Sequence, residues 1–272
     1  MAEPKKYRSL GLETEMIFHR YSSKVFERDT YTVVRTDAQP HYFWGNYLIM
    51  RESPKAGDYA LWIERFSQEI GSPKERGFVA ITWENQEPNP VGIDDFRNQG
   101  FELIETQVMG CRRLKRPPKL NSQLQFAVLS ASDNEDAYLN VHFEPSWNYG
   151  GTEAQKGFLK QQYQDLRAMV EAGLGLRFGM RLEGIWVGEL GIYREGKLGR
   201  FNTVGTHIDY RRQGVCSSLM YAALKYAFES MGLEVLVIET EKDNPAKKIY
   251  SSVGFEGIET RQSLQWHDPS MF

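Results

Sequence analysis

The feature that most limits the fold of this chain is a long helical stripe in its second half. Apolar or small residues recur within Val215–Met231 at positions 216, 219, 220, 223, 224, 227, 228 and 231, and Gly232 follows as a stop. The continuous apolar run Val235–Glu239 then indicates a buried strand. Strand patterns precede the stripe, with turn residues between them, at Leu176–Leu182, Ile185–Tyr193 and Leu198–His207. The sequence therefore predicts an α/β fold with a mixed sheet that includes an antiparallel meander.

The remaining elements of the second half have shorter patterns. They are a strand at Gln125–Leu129, helices at Ser132–Phe143 and Ala154–Ala172, a short helix opened by Asn244-Pro245 and ended by Gly254, and a strand or hairpin at Phe255–Trp266.

A basic, proline-containing segment, Arg112–Gln123, separates the two halves of the chain. Its adjacent residues Pro117 and Pro118 cannot continue a helix or a central strand. This segment predicts a link between two domains, residues 1–118 and 119–272.

The first half has weaker patterns. We expect strands at Tyr31–Thr36, Tyr47–Met50, Gly77–Trp83 and Phe101–Gly110, and helices at Asp58–Ile70 and Ile93–Gln99. The segments FRNQGFELIE at 96–105 and YSSVGFEGIE at 250–259 have identical or aromatic residues at six of ten matching positions, which favours an internal duplication.

Composition excludes several classes of protein. The 272 residues are 41% hydrophobic and 25% charged, enough apolar content to bury real cores, and the net charge of −3 argues against a dedicated nucleic-acid binder. The two cysteines, Cys111 and Cys216, offer neither a disulfide framework nor a metal-binding pair. No apolar run resembles a signal peptide or a transmembrane helix. We expect a cytoplasmic protein.

The stretch Tyr210–Leu219, YRRQGVCSSL, lies where a strand gives way to the long helix. The first turn of a helix has backbone N–H groups without intrahelical partners and a positive dipole end. Gly214 lets a phosphate approach the main chain, and Arg211 and Arg212 add positive charge. The stretch predicts either a pyrophosphate site or a surface turn before a core helix.

Two motifs resolve this choice. Arg211-x-x-Gly214-x-Cys216 resembles motif A of the GNAT superfamily of acyl-CoA-dependent N-acyltransferases, with Cys at a position where Gly or Ala is usual. The segment from Asn244 to Phe255 resembles motif B of the same superfamily. The resemblance covers residues 124–266 well and the first half weakly. It implies two tandem GNAT-like domains, of which the first is degenerate and supports the second.

The resemblance also implies how a cofactor would bind. The pantetheine arm would lie against Thr206, His207 and Ile208, and Asn244 would help to hold it. The pyrophosphate would sit on the amides of the turn, from Arg212 through Gln213, Gly214, Val215 and Cys216 to Ser217, with Arg211 beside it. Acetyl-CoA would be the co-substrate, and no metal is implied.

Two proton transfers accompany acyl transfer to an amine. Tyr250 holds the motif position from which GNAT enzymes usually supply the general acid, and a phenol with a pKa near ~10 can protonate a departing thiolate. For the base, His207, Glu189 and Glu239 stay open as alternatives. His19, His41, His142 and His267 show no metal-ligand spacing and carry no prediction.

The leading functional hypothesis is N-acetyl transfer from acetyl-CoA to a primary amine of a small molecule or peptide. The loop Glu144–Gly151 could line the acceptor site. We expect a monomer or homodimer that binds neither nucleic acid nor membrane. The alternatives are a tandem GNAT transferase with another acyl donor, such as aminoacyl-tRNA, and a non-catalytic acyl-CoA sensor or interaction protein.

Overall fold

The computed structural model describes residues 6–84, 86–130, 133, 140–142 and 153–271, and the chain divides into two compact units. The first unit comprises residues 1–108 and 259–272, and the second comprises residues 109–258. The sequence prediction placed the boundary at residue 118 and the C-terminal segment in the second domain. Residues 259–272 lie in the first unit because β11 (Glu256–His267) pairs antiparallel with β4 (Phe78–Trp83).

The first unit packs helices against a mixed sheet whose strand order is β1-β2-β3-β4-β11-β5. Strands β1 to β3 are antiparallel, and β3 and β4 are parallel. Its other elements are α1 (Leu10–Ser22), β1 (Lys24–Glu27), β2 (Tyr31–Arg35), β3 (Asn46–Met50), α2 (Asp58–Glu69), α3 (Pro73–Arg76), α4 (Ile93–Arg97) and β5 (Glu102–Cys111).

Helix α1 and strand β1 are absent from the sequence prediction. The hydroxyl of Ser9 caps α1 by accepting a hydrogen bond from the N–H of Leu12. The helix also turns Glu15 inward, where its carboxylate pairs with the buried guanidinium of Arg261. A charged residue on the inner face interrupts the apolar period on which helix prediction depends.

The second unit matches the sequence prediction closely. Its strand order is β10-β9-β8-β7-β6, with β6 to β9 antiparallel and β9 parallel to β10. Its elements are β6 (Gln125–Val128), α5 (Glu153–Glu171), β7 (Gly175–Leu182), β8 (Ile185–Glu195), β9 (Leu198–Thr206), α6 (Val215–Glu229), β10 (Val235–Glu241) and α7 (Lys247–Val253). The predicted α/β fold with a mixed sheet is confirmed.

The stripe of α6 forms the centre of the second unit's core. Leu219, Met220, Ala223, Leu224 and Ala227 are fully buried. Complete burial of a Leu or Met side chain contributes about 1.5–3 kcal/mol each, so this face holds the helix firmly on the sheet. The N-terminal end of α6 is thereby fixed close to the end of β9.

Strands β9 and β10 pair only at their beginnings. Leu198, Gly199 and Arg200 lie opposite Val235, Leu236 and Val237, and no pairing follows along the rest of the two strands. In the first unit, by contrast, β3 and β4 stay paired to their last residues, Met50 and Trp83. The second unit therefore contains a gap between parallel strands that the first unit does not have.

The segment 112–123 contains neither helix nor strand and is attached to the second unit. The N–H of Lys115 donates to the carbonyl of Val253, and a Cβ at Gly254 would overlap the carbonyl of Arg113. Only glycine allows that approach, and its φ of +116° is also in the region that favours glycine. The predicted linker is thus part of the second unit.

Two predictions fall on residues that the structure does not describe. The helix expected at Ser132–Phe143 lies outside the described residues, apart from residues 133 and 140–142. The loop Glu144–Gly151 lies outside them entirely.

Candidate active site

The turn between β9 and α6 has a backbone suited to anion binding. Arg212 and Gly214 both have positive φ, 65° and 78°, and α6 begins directly after Gly214. Among the described residues, the backbone N–H groups of residues 212–217 find no protein acceptor. Successive unpaired N–H groups at a left-handed turn and a helix N-terminus form a concave set of donors for a phosphate.

Side chains keep this turn in place without filling it. Asn121 donates from Nδ2 to the carbonyl of Gln213 at 2.9 Å, and the hydroxyl of Ser218 accepts from the N–H of Asn121 at 3.0 Å. Ser217 Oγ donates back to the carbonyl of Gly214. Val215 is buried in the core, whereas Arg211 and Arg212 are exposed. The sequence did not point to Asn121.

The strand before the turn ends earlier than predicted. Strand β9 stops at Thr206, and Ile208–Tyr210 form one 3-10 turn. The cause is His207, whose Nδ1 accepts the N–H of Asp209 at 3.3 Å and so caps the turn. Thr206 and His207 are half-buried and Ile208 is exposed. All three line the part of the chain where β9 no longer pairs with β10.

A bulge in β9 lies beside this gap. Glu189 of β8 lies opposite Gly205, and Gly191 lies opposite Asn202, so β9 contains one extra residue between these pairs. Thr203, inside the bulge, has a φ of +49°, which is rare for a β-branched residue. A bulge of this kind turns backbone groups away from the ladder.

Asn244 lies in the turn between β10 and α7. Its Oδ1 accepts the N–H of Ala246 at 2.9 Å, and α7 begins at Lys247 rather than at Pro245. The side chain caps a turn instead of the helix, which corrects the predicted start. The side-chain nitrogen of Asn244, Nδ2, has no acceptor among the described residues.

Tyr250 lies on α7 and is buried, with an exposed fraction of 7%. Burial raises the pKa of Tyr250, and the nearby thiol of Cys216 adds to the shift. The phenol therefore stays protonated at working pH and keeps a proton to donate. Burial also raises the pKa of Cys216 to about 12, so this thiol is not a nucleophile at neutral pH.

All three candidate bases have partners in the structure. Glu239 forms an ion pair with Arg200 at 3.0 Å. His207 uses Nδ1 to cap the 3-10 turn. Neither arrangement leaves the group as a ready proton acceptor beside the β9 bulge.

Glu189, the third candidate, lies in a fully buried polar cluster on β8. Its carboxylate pairs with the guanidinium of Arg177 on β7 and accepts a hydrogen bond from the hydroxyl of Tyr163 on α5 at 3.2 Å. His142 completes the cluster, with Nε2 at 2.6 Å from Glu189 Oε2. The guanidinium of Arg177 also lies over the ring of Tyr163, 4.1 Å from its centroid.

Charge in this cluster is balanced. Burial is the largest single influence and acts to lower the pKa of Arg177, but the carboxylate of Glu189 together with Tyr163 and Tyr193 outweighs it, and the net shift is upward. Burial raises the pKa of Tyr163, and the charge of Glu189 raises it further. The cluster therefore holds one cation, one anion and a neutral phenol around the imidazole of His142.

Sequence reasoning missed His142, Tyr163 and Arg177. One signal was present, because Arg177 and Glu189 interrupt otherwise apolar strands, and a charged residue there needs a buried partner. The identity of that partner depends on tertiary structure.

The comparisons with known proteins agree with this geometry. A model of the acetyltransferase (GNAT) family matches residues 142–255. We call the second unit, most of which this model covers, the GNAT unit. No curated protein matches the sequence significantly.

Solved structures share the fold along almost the whole chain. A functionally unknown conserved protein from Staphylococcus epidermidis is 12% identical, with 91% of this chain and 95% of that chain covered and a TM-score of 0.71. A GCN5-related N-acetyltransferase from Kribbella flavida is 13% identical, with 97% of each chain covered and a TM-score of 0.64. A tandem GNAT protein from the clavulanic acid biosynthesis pathway is 13% identical, with 98% of this chain and 90% of that chain covered and a TM-score of 0.59. At these identities the likeness shows the fold alone.

The first unit shares with the GNAT unit a helix, three antiparallel strands, a helix, a parallel strand and a short helix in that order, although it also has the short helix α3 before β4, and the GNAT unit has β6 before its first helix. It also has a turn in the equivalent place, before α2, where Gly57 has a φ of +87°. In this turn, side-chain carboxylates of the protein accept hydrogen bonds from the backbone N–H groups. Asp95 accepts the N–H of Gly57 at 2.7 Å, and Asp58 accepts the N–H of Lys55 at 2.8 Å.

Within the described ranges, no group of three or more His, Cys, Asp or Glu side chains is arranged to hold a metal ion. None of the helices that the structure describes is long and apolar enough to cross a membrane.

Proposed function

We propose that the GNAT unit transfers an acetyl group from acetyl-CoA to a primary amine of a small molecule or peptide. The observation that carries this proposal is the turn at residues 212–217, whose backbone donors have no acceptor in the part of the protein that the structure describes and lie at the mouth of the gap between β9 and β10. A pyrophosphate fits the turn, and an extended arm fits the unpaired edge of β9. The family match supports the acetyltransferase class.

The residues of the turn have distinct roles in this proposal. The amides from Arg212 to Ser217 bind the pyrophosphate, and Arg211 adds charge beside it. The edge of β9 from Thr206 to Ile208 holds the pantetheine arm, with the amide of Asn244 on the other side of the gap. Tyr250 donates its proton to the sulfur as the amine displaces it.

The first unit has no matching role in catalysis. Its turn is occupied by Asp58 and Asp95, its strands β3 and β4 do not separate, and Phe96 stands where the GNAT unit has Tyr250. We propose that it supports the active unit. We also keep a cytoplasmic location as a proposal, since both cysteines are free thiols.

Titration calorimetry of the full chain with acetyl-CoA tests the binding step. We expect one site per chain, and the absence of binding at millimolar acetyl-CoA would contradict the proposal. Release of free thiol with a panel of primary amines then tests catalysis. Binding without thiol release from any amine would favour a non-catalytic acyl-CoA sensor. Acetyl-CoA bound weakly but another acyl donor used rapidly would favour the alternative transferase.

A further inference from the structure

The buried cluster around Glu189 lies directly beside the strand on which the acyl group would lie. Glu189 pairs across the ladder with Gly205 of β9. The imidazole of His142 occupies the place that a side chain at residue 205 would take, because a Cβ built on Gly205 would overlap its ring at Cε1 and Nδ1. The imidazole therefore packs on the backbone of β9, next to the bulge at Thr203.

The partners of His142 determine which ring nitrogen carries the proton. Glu189 forms an ion pair with Arg177, and the carboxylate of an ion pair only accepts hydrogen bonds. Since Nε2 lies 2.6 Å from Glu189 Oε2, Nε2 must carry a proton and donate it. The neutral ring then has its lone pair on Nδ1, and Nδ1 has no hydrogen-bond partner among the described residues.

We propose that His142 is the general base of acyl transfer, and that Glu189 is a positioning residue that fixes its tautomer and stabilises the imidazolium. This inference rests on the proposed acetyltransferase function. His142 Nδ1 takes one proton from the substrate ammonium. The free amine attacks the thioester carbonyl, the C–N bond forms and the C–S bond breaks. Tyr250 protonates the departing sulfur and regains the second proton of the nitrogen, and His142 releases its proton to solvent.

Among the residues that the structure describes, the charged and titratable groups that face His142 come from three elements. They are Glu189 on β8, Arg177 on β7 and Tyr163 on α5. The only formal charges among them cancel. A proton added to His142 is therefore stabilised by the carboxylate it already contacts, which is the arrangement that a base needs when it must hold a proton for part of each cycle.

Two measurements on the full chain test this proposal. Nitrogen-15 NMR of the histidine rings, with His142→Gln for assignment, should show neutral His142 protonated on Nε2, and protonation on Nδ1 would overturn the proposal. In the thiol-release assay, His142→Gln should lower kcat by about 10²-fold or more, the range of general-base catalysis, and remove the acidic limb of the pH–rate profile. His41→Gln, at an exposed histidine of the first unit, is the matched control and should change neither.

Changing the basicity of the amine substrate gives a measurement that would not respond if His142 had only a structural role. A fluorinated analogue of an active amine is largely neutral at the assay pH and needs no base for its first proton. The loss in His142→Gln should therefore be much smaller for the analogue than for the parent amine. Equal losses for the two amines would overturn the base role. If the wild-type protein binds no acetyl-CoA, the proposed function itself fails, which is a separate result.

A double variant tests the positioning role of Glu189 without leaving a buried charge unpaired. Arg177→Met with Glu189→Leu replaces the ion pair by apolar groups of similar volume, a change that often preserves stability. Because His142 and Tyr163 lose their buried acceptor, we expect the thermal midpoint to fall, but less than in Glu189→Leu alone, and kcat to fall as far as in His142→Gln. Full activity in this variant, with an unchanged pH–rate profile, would refute the role of Glu189.

Discussion

The two left-handed glycines before α2 and α6 offer a matched test of where acetyl-CoA binds. Gly57 and Gly214 have φ values of 87° and 78°, and both stand at the N-cap of a helix. An alanine Cβ at 57 meets no atom within 4 Å, and one at 214 comes no closer than 3.6 Å to Asn121 Cβ. Neither substitution causes a clash, so the cost is the backbone strain of about 1–2 kcal/mol for an L-residue in this region.

We expect Gly57→Ala and Gly214→Ala to lose similar stability and to differ in cofactor affinity. Each should lower the free energy of unfolding by about 1 kcal/mol. Only at 214 does the added methyl group stand where a phosphate must approach the main chain, and we expect acetyl-CoA affinity to fall about tenfold there, which corresponds to about 1.4 kcal/mol.

Urea unfolding and titration calorimetry on both variants measure the two quantities separately. Unchanged affinity in Gly214→Ala would show that the phosphates lie elsewhere. An equal loss of affinity in Gly57→Ala would show that the effect follows general stability rather than the turn. Either result refutes the assignment of the pyrophosphate to residues 212–217.

Four further outcomes follow from the structure. Tyr250→Phe should lower kcat by about 10²-fold with acetyl-CoA affinity nearly unchanged, and a calorimetric and kinetic comparison checks this. Asn121→Ala removes the hydrogen bond from Nδ2 to the carbonyl of Gln213, and the loss of this bond, at about 1 kcal/mol, should weaken acetyl-CoA binding about fivefold in calorimetry. Burial raises the pKa of Cys111 to about 11 and that of Cys216 to about 12. These raised values favour the folded state fully below the ordinary thiol pKa of 9.0, and this contribution should be lost as pH rises towards 11–12, as urea unfolding across that range can show. A fragment of residues 119–272 lacks β4, the partner of β11, and should aggregate or unfold at lower urea than the full chain in size-exclusion and circular-dichroism measurements.

Local patterns were sufficient for most of the GNAT unit. The stripe from Val215, the buried strand at Val235 and the glycine at 214 each act through neighbours in sequence, and each was found where predicted. Long-range partners were not predictable in this way. The pairing of β11 with β4, and the inward turn of Glu15 towards Arg261, both join residues that are far apart in sequence.

The candidate site shows the same difference between features that follow from neighbouring residues and features that depend on long-range contacts. The phosphate turn follows from Arg211, Gly214 and the helix start, all within one stretch of sequence. The environment of Glu189 follows from residues 142, 163 and 177, which the fold brings together from a loop, a helix and a strand. Glu189 could be named from its place inside an apolar strand, whereas its contact with His142 could not.

The residues beside the two turns explain why the backbone donors of one turn bind carboxylates of the protein and those of the other do not. Both turns present backbone donors that favour an anion. In the first unit the chain supplies that anion from Asp58, directly after Gly57, and from Asp95, directly before Phe96. The GNAT unit has Val215 after Gly214 and Ile249 before Tyr250, two aliphatic residues at the matching places of the repeat. None of the described carboxylates accepts a hydrogen bond from its donors, and an external phosphate can take that position.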